Sequence, residues 1–407
     1  MTTTPPSTSA SPVASSVAGD RRDEGRDPGG FLSHVANVGI KDDTLDFAVV
    51  ASAGPCAVAG VFTQSRFAGA SVLISREHVA SGSARAIVTI SKNANVATGA
   101  QGRRDSEAVV EGVARALGCD ATDVLVSSTG VIGRLLPMDR VDAHLVALTA
   151  DGFGPADFDL VAQAIMTTDT VPKTARARVG DATIVGVAKG VGMIEPDMAT
   201  LLTYFFTDAD VPAAELEARF RRVVDTTFNS LSVDTDTSTS DTALVFANGA
   251  AGPVDLDAFE VALHDVALSL VKQIAHDGEG ATKLIEVTVD GAADTGQAKR
   301  VAKLVVNSPL VKTAVHGCDP NWGRVAMAVG KAKDDTDIDP ERTTIRFGGT
   351  EVYPRLLDDA DLAGLAHVMA QDEVAIHVSL GLGDAAATVY GCDLSDGYVR
   401  INADYTT

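Results

Sequence analysis

From Phe31 to the end of the chain, short apolar runs alternate with longer amphipathic ones, and no Pro/Gly-rich linker interrupts them. This alternation constrains the fold more than any single motif. Short runs rich in Val and Ile and bounded by Gly, Ser or Pro predict strands. They include "DFAVVAS", "CAVAGVFT", "ASVLISR", "ARAIVTIS", "VLVSS", "ATIVGVAKG", "LLTYFFTDA", "TALVFANG" and "TKLIEVTVDGA". Longer runs with a helical apolar period predict helices: "RDSEAVVEGVARALG", "FDLVAQAIM", "AAELEARFRRVVDTTFNSL", "LDAFEVALHDVALSLVKQIAHDGEG" and "DTGQAKRVAKLVVNS". The C-terminal part, with "TTIRFGG", "VAIHVSL", "AATVYGCDL" and "YVRINADYTT", reads as mostly β. Strands and helices mix throughout, so an α/β (α+β) fold is expected, with layered sheets between helices.

The chain has 407 residues, 45% of them hydrophobic, enough for one large or two medium domains with a sizeable core. Residues 1–30 are rich in Ser, Thr, Pro, Gly and charge and lack the apolar centre of a signal peptide, so they are expected to form a disordered tail. No apolar run approaches the roughly 20 residues of a membrane span. The formal net charge of −22 opposes binding to nucleic acid or an anionic membrane, both of which require Lys and Arg. Small-molecule substrates are the partners this leaves. The four cysteines, Cys56, Cys119, Cys318 and Cys392, form no C-x-x-C pair. Such scatter predicts reduced thiols and a cytoplasmic setting.

Several motifs can be set aside. "GRVAMAVGKA" has the wrong spacing for a phosphate loop, with Ala after the lysine. "GLGDAA" leads into a strand where a dinucleotide fingerprint requires a helix. No H-E-x-x-H or G-x-S-x-G occurs, and no metal site is expected. "DTDTSTSD" (234–241) resembles a cation loop, but Thr239 and Val245 stand where an EF-hand needs Gly and Glu. It reads as a loop of Asx and Ser/Thr turns.

The informative stretch is "KGVGMIEPDMATLL", residues 189–202, near the midpoint. A threonine hydroxyl is a weak nucleophile and needs an adjacent base. At a chain N-terminus its own α-amine, with a pKa of about 7.7–8.0, can serve. An internal threonine reaches that state by attacking the preceding carbonyl, converting the amide to an ester that water splits. A small Ala199 before Thr200, flanking glycines and a following strand all suit such self-cleavage. On residue types alone, an ordinary loop-to-strand junction is the favoured reading.

The stretch resembles the signature of the ornithine acetyltransferase (glutamate N-acetyltransferase) family, and further blocks agree in the same order. These are "KNANVATG" (92–99), "SSTGVIG" (127–133), "AIMTTDTVPK" (164–173), "VDTDTSTSDT" (233–242), "DGEGATKLIEV" (277–287), "NSPLVKTAVHGCDPNWGR" (307–324) and the terminal "INADYTT". The resemblance implies that family's fold with an N-terminal-nucleophile-type site, and self-cleavage between Ala199 and Thr200. Residues 31–199 would then form an α subunit and residues 200–407 a β subunit, assembled as (αβ)2 or larger. By the same resemblance, Thr200 is the nucleophile and Thr129 and Gly130 are the oxyanion pair. Thr167, Lys189, Thr200, Glu279, Asn402 and Thr407 are the substrate contacts, with Thr168 as an alternative to Thr167. The implied reaction is ping-pong transfer of acetyl from N-acetylornithine to glutamate through acetyl-Thr200, without metal or organic cofactor. Use of acetyl-CoA as a second donor, an N-terminal-nucleophile amidohydrolase, and a non-catalytic binding protein remain as alternatives. In the acidic loop, Thr235 and Ser240 replace the family's usual Gly and Asn. This variant resembles the member found in clavulanic-acid gene clusters, and it bears on the pathway, not on the chemistry.

Overall fold

The computed structural model describes residues 26–195, 201–355 and 357–404. Ala199, Thr200 and Thr407 therefore lie outside the described residues, as does most of the expected tail. Residues 26–30, placed in that tail by composition, are tied down: Asp27 pairs with Arg176 at 2.9 Å, and the Gly29 N–H donates to Asp208 Oδ2 at 2.9 Å.

A nine-stranded mixed sheet holds β1 (Phe31–Ala36), β2 (Phe47–Phe62), β3 (Ser83–Ile90), β4 (Val124–Ser128), β5 (Gly154–Pro155), β6 (Lys173–Val179), β7 (Ala182–Lys189), β8 (Leu202–Asp210) and β9 (Thr242–Pro253). Its main order is β4-β3-β2-β9-β8-β7-β6, with β3–β4 and β8–β9 parallel. A second, five-stranded sheet holds β10 (Leu284–Ala292), β11 (Thr344–Phe347), β12 (Thr350–Tyr353), β13 (Glu373–Ser379) and β14 (Ala385–Cys392), in the order β12-β11-β13-β10-β14.

Helix α1 (Ala70–Val79) puts Ile74 in one core cluster and Val72 in the next; α2 (Gly99–Leu117) and α3 (Met138–Ala147) pack on Phe47, Val49, Val88 and Val126, and α4 (Phe158–Ala164) packs on the face of the large sheet that carries Val50, Tyr204 and Phe206. On the other lie α5 (Ala213–Thr226) and α6 (Leu256–His276), which bury Leu216, Phe220, Phe259, Leu263 and Leu270 against Ile184, Phe205 and Val245. The α6 helix also faces the small sheet, where Lys272 meets Glu286 at 3.1 Å. Beyond that sheet are α7 (Thr295–Val306), α8 (Pro309–His316), α9 (Trp322–Val329) and α10 (Asp359–Met369), and α11 (Asp396–Asp404) ends the described chain. The expected sheets between helical layers are what the chain forms. Among the described residues no helix is long and apolar enough to cross a membrane.

Three local expectations are corrected. "ASVLISR" is helical, not a strand: Ser71, Val72, Ile74 and Ser75 are buried together while Leu73 is 41% exposed. Two of its buried positions are serines, whose hydroxyls reach Ser128 and the Val126 carbonyl, so the helical period is invisible to an apolar count. "DFAVVAS" and "CAVAGVFT" are one long strand, β2, with a register shift between Ala51 and Cys56. "YVRINAD" is helical, and Asp359–Met369 adds a further helix to the region expected to be mostly β.

Candidate functional site

The site forms where β7 stops and β8 begins. These strands are antiparallel neighbours, with Lys189 opposite Leu202, and β9 flanks Leu202 on its other side at Thr242. Every residue of β8 from Leu202 to Ala209 is buried, so the chain enters the middle of the sheet at Leu201. A small cleft of about 20 Å3 opens at this end, lined by Thr129, Lys189, Gly190, Leu201, Ser240 and Asp241 among others. That is far below the roughly 300–1,000 Å3 of sites for drug-sized ligands. A larger cleft between α1 and α5, lined by Arg76, Glu217 and Arg221, contains none of the residues that the sequence singled out.

Thr129 and Gly130 follow β4. The turn is tight: Gly130 has φ 130°, and a Cβ there would lie 2.3 Å from the Lys92 carbonyl carbon. Only glycine fits that close approach. The neighbouring amides are occupied, Thr129 N–H donating to Ile90 O and Val131 N–H to Lys92 O. No hydrogen bond from the Gly130 N–H to a described group occurs. The Lys189 ammonium donates to Thr129 Oγ1 at 3.1 Å. A hydroxyl that accepts in this way keeps its own O–H to donate elsewhere. Thr129 and Gly130 can thus offer two donors to one oxyanion.

Burial pushes Lys189 below the ordinary lysine pKa, and Lys173 adds to this, while Asp169, Asp241 and Glu279 oppose it. Beneath it lies a buried ionic cluster. Lys173, fully buried, donates to Asp169 Oδ1 at 2.8 Å and to Asp277 Oδ2 at 2.6 Å. Asp169 also accepts from the Gly190 N–H at 2.7 Å and the Thr167 N–H at 3.1 Å. Burial alone would raise the Asp169 pKa; Lys189, Lys173 and these hydrogen bonds hold it below the ordinary value. The cluster locks the 167–170 turn and the end of α6 to the loop after Lys189.

Glu279 lies against that loop. Its N–H donates to Val191 O at 2.8 Å, and a Cβ at residue 192 would come within 2.6 Å of its carboxylate. Gly192 is therefore what lets the carboxylate approach the loop. Glu279 accepts from Asn402 Nδ2 at 2.8 Å and from Thr168 Oγ1 at 3.4 Å. Thr167 instead lines a separate cavity with Lys41, Asp42 and Lys92. Of the two adjacent threonines, Thr168 stands with Glu279. Thr129 and Lys189 are in direct contact, and Glu279 with Asn402 forms a second cluster beside the same loop.

The acidic loop, set aside from the sequence, lines the cleft through Ser238, Ser240 and Asp241. Its Asp-rich pattern carried no motif that would have revealed this. Among the described residues no three His, Cys, Asp or Glu side chains are grouped to hold a metal ion.

Comparison with known proteins bears directly on this arrangement. The model of the ArgJ family matches residues 32–407. Glutamate N-acetyltransferase Oat2 of Streptomyces clavuligerus is 60% identical over 386 residues, covering 93% of this chain and 98% of its own. A protein described as arginine biosynthesis bifunctional protein ArgJ 3, from the same organism, gives the same figures. The solved arginine biosynthesis bifunctional protein argJ of Bacillus halodurans is 39% identical, covers 49% of this chain and 96% of its own, and has a TM-score of 0.46. A family match spanning the described strands, and relatives this similar over nearly their whole length, mean that the chain belongs to the ArgJ family.

Proposed function

We propose that the chain transfers an acetyl group from N-acetylornithine to glutamate through an ester on Thr200, after cleaving itself between Ala199 and Thr200. Acyl transfer follows from family membership; the residues and the route are our proposal. The observation that carries it is the pairing of Lys189 with Thr129 at the mouth of a small cleft that also contains Leu201, the residue after Thr200.

In self-cleavage, Thr200 Oγ attacks the Ala199 carbonyl carbon. The C–N bond breaks, the hydroxyl proton passes to the nitrogen, and an ester joins the two residues. Water hydrolyses this ester, leaving a carboxylate on Ala199 and a free amine on Thr200. That amine then serves as the base for acetyl transfer. Thr200 Oγ attacks the acetyl carbonyl, and the Gly130 N–H and Thr129 hydroxyl hold the tetrahedral oxyanion. The proton goes to the departing amine of ornithine. Glutamate's amine attacks the ester in turn, forming N-acetylglutamate and freeing Thr200. Lys189 pairs with a substrate carboxylate, and Glu279 with an ammonium group. Asn402 orients Glu279; Thr407, and either Thr167 or Thr168, complete the contacts. A narrow cleft limits the access of water, which would otherwise hydrolyse the acetyl ester. The two chains, residues 1–199 and 200–407, stay together because β7 and β8 pair across the cut, and they assemble as (αβ)2 or larger.

Relatives described as bifunctional favour a second reading, in which acetyl-CoA is also a donor. Purified enzyme with glutamate and N-acetylornithine should yield N-acetylglutamate and ornithine in equal amounts. Sustained N-acetylglutamate from acetyl-CoA and glutamate alone would support the bifunctional reading. Release of acetate without an acceptor amine would overturn transfer in favour of hydrolysis.

A further inference from the structure

The acidic loop that reads as a bland turn grips both sides of the cleavage step. The Asp234 carboxylate accepts from two consecutive backbone amides, Met193 N–H at 2.6 Å and Ile194 N–H at 2.8 Å. The Val233 N–H donates to Ile194 O at 2.7 Å, and the Glu195 N–H donates to Asp236 O at 2.9 Å. Nine residues after Val233, the Thr242 N–H donates to Leu201 O at 2.9 Å. One segment thus fixes residues 193–195 on one side and Leu201 on the other.

The backbone is strained to achieve this. Met193 has φ 56° and Thr235 has φ 71°, both in the left-handed region that disfavours residues with a Cβ, and β-branched residues most of all. Such conformations persist where the surroundings over-determine them, and they cluster at functional sites. At Thr235 the left-handed turn folds the chain back so that Asp234 faces the 193–194 amides while the Asp236 carbonyl meets Glu195.

We infer that Asp234 is a positioning residue for self-cleavage, an inference that rests on the cleavage proposed above. The acyl shift requires Thr200 Oγ to approach the Ala199 carbonyl along a narrow trajectory, and small misplacements cost large factors in rate. Asp234 acts through the Met193 and Ile194 amides of the arm that leads into that step, and its two charge-assisted hydrogen bonds hold those two residues in one conformation. Once the chain is cut, the arm ends at Ala199 and the bond it positioned is gone. The function of Asp234 is then complete, whereas Thr129, Gly130 and Lys189 continue to act in every turnover.

The test follows newly synthesised full-length chain over time on a denaturing gel, for the wild type, Asp234→Asn and Asp234→Glu. Asp234→Asn keeps the size but presents an amide N–H2 to one backbone N–H, and it should slow cleavage at least about tenfold. Its unprocessed chain should still unfold in one cooperative transition. The fraction that does cleave should transfer acetyl at the wild-type rate per new N-terminal threonine. Cleavage at the wild-type rate, or transfer per cleaved molecule reduced as much as cleavage, would overturn the inference. Should Asp234→Asn fail to fold, Asp234→Glu decides, because it keeps the charge but displaces it by one methylene and should slow cleavage with the fold intact. A wild-type chain that never cleaves would instead overturn the cleavage reading itself.

Discussion

Lys189 Nζ lies 3.1 Å from Thr129 Oγ1, joining the end of β7 to the turn after β4 at the mouth of the cleft. In the proposed mechanism this contact links substrate recognition with oxyanion stabilisation. If Lys189 holds a substrate carboxylate, Lys189→Met should raise KM by about 10- to 100-fold, since a hydrogen bond to a charged group contributes roughly 1.5–3 kcal/mol. Burial pushes the Lys189 pKa down, and only the charged form binds a carboxylate. The alkaline fall in kcat/KM should therefore begin below the ordinary lysine range, and it should move upward in Lys189→Arg, because guanidinium stays charged. An alkaline limb unchanged by Lys189→Arg would contradict this assignment.

Gly130→Ala should cripple the acylation step. The added methyl would sit 2.3 Å from the Lys92 carbonyl carbon at a φ of 130°, so the turn must shift and its N–H must re-aim. Loss of one oxyanion donor typically costs about 10²–10³ in kcat. Single-turnover acetylation of the enzyme by N-acetylornithine measures this step, and a fall of less than about fivefold would argue against the Gly130 N–H as a donor.

Lys173→Met should destabilise the fold without touching the cleft lining. It would leave Asp169 and Asp277 facing each other without their shared counter-ion, and breaking a buried pair from one side costs about 3–5 kcal/mol. Denaturant unfolding of the variant measures the loss.

Tyr204 gives a stability signature at high pH. Burial pushes its hydroxyl up to about 12, against hydrogen bonds with Ser127 and Thr89 that oppose the shift. A raised pKa means that the native state holds its proton where the unfolded chain has lost it. Stability from this group is therefore full below pH 10 and declines as pH rises from 10 to 12, by on the order of 2 kcal/mol. Tyr204→Phe should flatten that part of the decline in a series of denaturant titrations.

Much of the fold was legible because strands such as β8 and β10 and helices such as α5 and α6 carry strong apolar patterns. The α1 helix was not, because Ser71 and Ser75 occupy buried positions that are usually apolar and satisfy their hydroxyls through bonds to β4. Helix α11 buries none of its described residues, so its Val and Ile suggested a strand with nothing to correct them. Thr129, Gly130, Lys189, Glu279 and Asn402 came from a resemblance, since nothing local distinguishes a solvated lysine from a substrate contact. Asp234 escaped notice for a physical reason: its partner amides lie 40 and 41 residues away in sequence, and an Asx-rich loop looks the same whether it faces water or another backbone.

The most direct test of the account is N-terminal sequencing with intact mass of the purified protein. Two chains spanning residues 1–199 and 200–407, the second beginning with Thr200, are predicted, together with an uncleaved and inactive Thr200→Ala variant. A single 407-residue chain that transfers acetyl, or a Thr200→Ala variant that is still cut, would contradict it.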